Sequence, residues 1–182
     1  VETDSRKSCS GQCFVAFSGE RFDAHQFIRQ VIQSGAAMVC VEQRPDEDEL
    51  DLAVAQSCGV LLVEDTIKAY QDIAKSYLES SDDCQVIGIT GSSGKTSVKA
   101  ILSSLLEAVY PTNVLSTLAN TNNHIGVPQN VLRLKNDDLY AVLEMGTNNP
   151  GEIAVLAQCA SPDIAVITSI GNSHCGNFGK GG

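Results

Sequence analysis

The chain has 182 residues, 43% of them hydrophobic, and 12 Lys and Arg against 22 Asp and Glu give it a formal net charge of −10. That length has room for one or two domains with a sizeable core, and the apolar content excludes a disordered chain. The acidic balance excludes a protein that grips nucleic acid by its phosphates, yet it leaves room for a nucleotide, because a phosphate site can be built from backbone N–H groups.

No stretch approaches the roughly 20 continuous apolar residues of a membrane span, so none is expected. No charged-then-apolar leader precedes the first strand-like run, and both ends, at Val1 and at Gly179 to Gly182, have the look of cuts. The cysteines (Cys9, Cys13, Cys40, Cys58, Cys84, Cys159, Cys175) form no C-x-x-C pair. They read as reduced thiols serving as small hydrophobes in a cytoplasmic protein, without a zinc set.

In chain order, strands are predicted at 13–17, 37–41, 60–63, 86–90, 112–115, 139–144 and 164–168. Helices are predicted at 24–34, 66–79, 95–108, 126–134 and 150–159. The acidic run Asp46 to Asp51 reads as a solvated loop. Several strands are apolar throughout, as parallel strands covered on both faces are, and their alternation with helices predicts an α/β fold with right-handed crossovers. The polar cluster Ser80 to Asp83 marks a boundary. Residues 1–82 then form a small N-terminal α/β domain, and 83–182 the first, incomplete part of a P-loop mononucleotide-binding domain with a mainly parallel sheet.

The segment Val86-Ile-Gly-Ile-Thr-Gly-Ser-Ser-Gly-Lys-Thr-Ser-Val-Lys99 carries the most chemistry. An apolar strand runs straight into Gly91, Ser92, Ser93, Gly94, Lys95, Thr96 and Ser97, and a helix follows. Glycines let the backbone curl so that successive N–H groups converge on phosphate oxygens, and the helix N-terminus adds its positive end. Lys95 is placed to neutralise the β- and γ-phosphates of ATP, and the Thr96 hydroxyl to meet Mg²⁺. The glycine spacing is shorter than G-x-x-x-x-G-K-[ST], and the G-x-G-x-x-G fingerprint of a dinucleotide site is missing. Lys99, one turn beyond Lys95, reads as a solvated helix lysine.

The stretch Thr90 to Lys99 resembles the ATP loop of the Mur ligase family, which uses this shortened form. Asn120-Thr-Asn-Asn-His-Ile-Gly-Val-Pro128 is similar to the N-x-N-N-x-I-G-x-P stretch of MurF-type members. Leu143-Glu-Met-Gly-Thr-Asn-Asn-Pro-Gly-Glu-Ile153 is similar to E-x-G-x-N-x-x-G-E-I, and Ser161 to Thr168 followed by His174, Phe178 and Gly179 to P-x-x-A-V-I-T leading into H-x-x-x-F-G. Near the start, Thr3-Asp-Ser-Arg6, Gly11 to Ala16 and Phe22-Asp-Ala-His25 resemble the uridine-binding domain of MurE- and MurF-type enzymes. Ala24, Ala119 and Asn149 depart from the family's usual Gly, Gly and His.

The resemblance implies an ATP- and Mg²⁺-dependent ligase of peptidoglycan precursor synthesis. It would be a cytoplasmic monomer joining D-alanyl-D-alanine to a UDP-linked muramoyl tripeptide through an acyl phosphate. A MurE-type ligase adding one amino acid, or a P-loop module without catalysis, are the alternatives. Family members continue beyond this stretch, so it is not expected to be active alone. Glu144 ends an apolar strand that, if parallel, places it beside the phosphate loop, where a carboxylate can hold Mg²⁺. To His174, after the next strand, the family gives a second Mg²⁺. The neutral amides of Asn120, Asn122 and Asn123 suit reading a peptide or sugar–pyrophosphate substrate, and Ser5 and Arg6 are candidates for its uridine diphosphate end. His25 and His124 read as structural or surface residues.

Overall fold

The computed structural model describes residues 1–19, 22–81 and 83–171. The chain divides into two compact units, Val1–Tyr70 and Gln71–Gly182.

The first unit opens with strand β1 (Cys13–Val15) and a small antiparallel pair, β2 (Ser18–Gly19) with β3 (Phe22–Asp23). A 3₁₀ turn, Ala24–Phe27, begins at Asp23, whose carboxylate accepts from the His25 N–H, and it runs into helix α1 (Ile28–Gln33). Strand β4 (Met38–Val41), helix α2 (Glu47–Ala55) and strand β5 (Gly59–Leu62) complete a three-stranded parallel sheet in the order β1-β4-β5. Its core gathers Phe14, Ile28, Val31, Ile32, Val39 and Val41. His25 is structural: Nδ1 lies 2.6 Å from Asp23, and Nε2 accepts from the Glu42 N–H.

The acidic run is not a loop. Asp46 caps α2: its carboxylate accepts from the Glu49 N–H at 2.8 Å, while Glu49 accepts from the Asp46 N–H at 3.1 Å. Glu47, Asp48 and Glu49 then occupy the first turn, where the helix dipole favours acids. Strand β5 also departs from expectation, since Val60, Leu61 and Leu62 are exposed along an edge instead of covered on both faces.

Helix α3 (Thr66–Glu79) spans the division between units. The compact units part inside this helix, ahead of the polar cluster Ser80 to Asp83, because Ala74 and Leu78 pack into the second core and the Tyr77 hydroxyl donates to the Leu134 carbonyl.

The second unit alternates strand β6 (Gln85–Thr90), helix α4 (Lys95–Val109), strand β7 (Val114–Ser116), helix α5 (Gly126–Val131), strand β8 (Tyr140–Glu144), helix α6 (Glu152–Ala160) and strand β9 (Ile164–Ile167). All four strands are parallel, in the order β7-β8-β6-β9. Alternation along β6 and β8 sends Val86, Ala141 and Leu143 into a core with α3, α5 and α6. The intervening Ile87, Ile89 and Val142 meet Val98, Leu102 and Leu106 of α4 on the opposite face. Because β7 and β8 lie to one side of β6 and β9 to the other, the C-terminal end of β6 sits where the strand order reverses, the usual place for a ligand crevice.

Candidate active site

At that end of β6 the chain turns sharply. Gly91 has φ of +135°, and a Cβ there would stand 2.3 Å from the Thr168 hydroxyl, so only glycine lets the loop pass this close to the end of β9. Gly94, at φ of +85°, is the N-cap of α4. Lys95 is the first residue of that helix, and its ammonium donates to the Gly91 carbonyl at 2.6 Å, closing the loop on itself. The N–H groups of Ser92 and Ser93 reach Ser169, at 2.9 Å to its carbonyl and 3.0 Å to its hydroxyl. The N–H groups of Ser92 and Ser93 and the Lys95 ammonium are thus gathered at the N-terminus of α4, each paired within the chain in this arrangement.

Glu144 ends β8 beside this loop, paired in register with Ile89 of β6. It is only 2% exposed. Oε1 accepts from the Thr96 hydroxyl at 3.2 Å and from the Asn122 side-chain amide at 2.9 Å. Oε2 has no hydrogen-bond donor among the described residues, and Lys99 Nζ lies 3.4 Å from it in an ion pair. Lys99 is therefore buried, contrary to the solvated position expected for it. From Lys95 the helix carries position 99 onto the face that meets the sheet, and Nζ also donates to the carbonyls of Thr117 and Ala119.

The segment between β7 and α5 is held by a residue that sequence reasoning passed over. Asn130, 1% exposed, donates to the carbonyls of Thr121 and Gly126 and accepts from the Leu118 N–H and Arg133. Gly126 packs so closely on Thr121 that a Cβ would come within 2.4 Å of its carbonyl carbon. Asn122 is thereby fixed, with its own carbonyl accepting the Gly146 N–H. Asn123 has a structural duty as well: Oδ1 accepts from the N–H groups of Ile125 and Gly126 at the start of α5.

Lys95, Asn122, Asn123 and His124 line a cavity of about 330 Å³ together with Thr147, Asn148 and Glu152. Glu152 organises its far wall. The Asn149 side chain, then the N–H groups of Asn148 and Asn149, donate to its carboxylate and hold its pKa down to about 2. Of the residues expected at the site, the loop 91–96, Glu144, Asn122 and Asn123 come together. Ser97 is exposed on the first turn of α4, Asn120 contributes its carbonyl to the Asn122 N–H but does not line the cavity, and His174 lies outside the described residues.

In the first unit, Ser5 and Arg6 line a separate cavity of about 570 Å³ with Thr3, Asp4, Ala24 and Gln30. Phe22 and Phe27 border it as a stacked pair, 5.8 Å between centroids. Arg6 forms a bidentate pair with Asp4, at 2.8 Å from both Nε and Nη2, which holds the Asp4 carboxyl well below the usual range.

The sequence profile of the Mur ligase middle domain matches residues 89–181. Over 99% of its length the chain is 42% identical to the UDP-N-acetylmuramoyl-tripeptide–D-alanyl-D-alanine ligase of Bacillus subtilis, and over 98% it is 44% identical to that of Synechocystis. It spans 37% of the length of each of these relatives. A crystal structure of MurF from Acinetobacter baumannii superposes over 98% of the chain and 37% of its own, with a TM-score of 0.86 at 39% identity. MurF ligase from Thermotoga maritima in complex with ADP superposes over 95% of the chain and 38% of its own, with a TM-score of 0.81 at 34% identity. A profile match reaching from β6 through β9, with the fold described above recurring in these structures, makes the chain a member of the Mur ligase family.

Proposed function

We propose that the protein is an ATP-dependent ligase that joins D-alanyl-D-alanine to a UDP-linked muramoyl tripeptide. The observation that carries this reading is the meeting of Thr96, Asn122 and Glu144 at one carboxylate oxygen beside the phosphate loop. A nucleotide switch needs the loop, but not an asparagine segment tied to the same carboxylate. The names of the relatives supply the substrates.

The Thr96 hydroxyl and the Glu144 carboxylate, buried at the end of β8, form a set of hard oxygens that fits Mg²⁺. Bound there, the ion would offset charge between the nucleotide phosphates and the substrate carboxylate. Lys95 neutralises the terminal phosphates, the loop N–H groups orient them, and Asn122 reads the substrate without adding charge. The carboxylate attacks the γ-phosphorus, ADP leaves, and the amine of the dipeptide displaces phosphate from the acyl phosphate. His174 is a further candidate for the metal. Residues 1–82 serve the uridine end, with Ser5 and Arg6 at the diphosphate and the Phe22–Phe27 pair as an apolar wall. A cytoplasmic, monomeric enzyme completes the proposal, and no helix among the described residues is long and apolar enough to cross a membrane.

ADP release by the full-length protein tests it. Release should require both the UDP-linked tripeptide and D-alanyl-D-alanine. If a UDP-linked dipeptide and a single amino acid suffice, the MurE-type reading replaces this one.

A further inference from the structure

Lys99 sits where a lysine is costly. It is 8% exposed, one turn past Lys95 on α4. An ammonium stripped of water needs close anionic or carbonyl partners. Nζ has three: the carbonyls of Thr117 at 3.2 Å and Ala119 at 3.3 Å, and Oε2 of Glu144 at 3.4 Å. The carbonyls bring partial charge only, so Glu144 supplies the balancing anion. Conversely, the donors on Oε1 of Glu144, Thr96 and Asn122, are both neutral. Among the described residues, Lys99 is the cation in contact with that carboxylate.

We propose that Lys99 is the internal counter-cation of Glu144, which keeps the site from taking up a divalent cation until a nucleotide brings phosphate charge with it. The inference rests on the reading of Glu144 as the metal carboxylate. With Lys99 in place, a bare divalent ion approaches an acid whose charge is already balanced and is repelled by the ammonium. Phosphate oxygens restore a net attraction. The same contact divides the carboxylate: Oε2 stays with Lys99, and Oε1, beside the Thr96 hydroxyl, is the oxygen left for the metal.

Mn²⁺ alone, titrated into the full-length protein without nucleotide and followed by electron paramagnetic resonance, tests this. Lys99→Met and Lys99→Gln should each bind Mn²⁺ about tenfold more tightly than the wild type, or better, because the repulsion is gone and a buried anion is left uncompensated. Mn²⁺ should also raise the melting temperature of both variants and leave that of the wild type unchanged. Adding Glu144→Gln to either variant should remove both effects.

Lys99→Gln can still donate to the Thr117 and Ala119 carbonyls, so it separates lost charge from lost packing. A variant that folds only with Mn²⁺ present supports the proposal. One that stays unfolded with Mn²⁺, binds it no better than the wild type, or keeps its gain alongside Glu144→Gln overturns it. Glu144→Gln alone separates the two levels. If Mg²⁺ still tightens ADP binding to that variant, the metal reading fails and the inference with it. If that dependence is lost while the Lys99 variants show no gain, only the inference falls.

Discussion

The Thr96 hydroxyl donates to Glu144 Oε1 at 3.2 Å although 48 residues separate the two in sequence. Parallel pairing of β6 with β8 sets this distance: Ile89 and Glu144 are register partners, and the loop after β6 brings Thr96 back over the strand end. A hydroxyl at the start of α4 and a carboxylate from β8, the neighbour of β6 in the sheet, thus share one edge of the sheet.

Loss of charge at this edge should be felt more than loss of shape. In Glu144→Gln the new NH₂ group must face either Lys99 or the donors Thr96 and Asn122, so the amide cannot satisfy both sides. In the full-length enzyme Glu144→Ala and Glu144→Gln should both lower ADP release about a hundredfold or more, and Lys95→Ala about a thousandfold. Circular dichroism of each variant checks that the fold survives. Near-normal turnover in a folded Lys95→Ala would remove the loop from the mechanism.

Gly91→Ala should be damaging without touching any charge. The added Cβ falls 2.3 Å from the Thr168 hydroxyl and 2.9 Å from the Ser169 backbone, at a φ that an L-residue rarely adopts. Backbone shift is then forced in the loop that carries Ser92, Ser93 and Lys95, and a loss of about 1–3 kcal/mol in stability is expected from the strained conformation alone. Chemical denaturation and ADP calorimetry should both register the change. Wild-type ADP affinity would mean that the loop amides are not the phosphate contacts.

Part of this site was legible because its signals are local. The apolar run of β6, the glycines after it and the helix that follows occupy one stretch, so the strand–loop–helix unit proposed to hold phosphate could be read directly. Glu144 was legible from its place at a strand end. Lys99 was not, because positions 95 and 99 share a helix face whichever way that face points, and the partners at Thr117, Ala119 and Glu144 arrive by tertiary pairing. Asn130 looks like an ordinary helical asparagine until the 118–126 segment folds around it. The capping box of α2 was a different miss: Asp46 and Glu49 carry the right spacing, but they lie in a run that reads first as charge.

Asn130→Ala follows from that account. The side chain bridges the Leu118 N–H to the carbonyls of Thr121 and Gly126, and removing it takes these hydrogen bonds from the half-buried segment and from the buried Gly126 carbonyl. The expected cost is about 2–4 kcal/mol by urea denaturation. Asn122 would lose its anchor too, so KM for the UDP-linked substrate should rise. An unchanged KM would separate the asparagine segment from substrate binding.

The far wall of the cavity should carry its own pH signature. Glu152 accepts from the Asn149 side chain, from the N–H groups of Asn148 and Asn149 and from the Thr147 hydroxyl, and these donors favour the ionised form. Its pKa is lowered from an ordinary 4.5 to about 2. A lowered folded-state value means that the stabilising contribution is full above the unfolded pKa and disappears as pH falls from about 4.5 toward 2. Because the carboxylate is solvent-exposed, the effect should be local: the 147–149 segment loosens and global stability hardly moves. Carbon-detected NMR should place the Glu152 titration near 2, with amide exchange at Asn148 accelerating over the same interval. In Glu152→Gln that acid-dependent step should vanish, and exchange at Asn148 should be faster at neutral pH, because an amide oxygen is a weaker acceptor than a carboxylate. A Glu152 titration near 4.5 would show that these four donors do not hold the loop in solution.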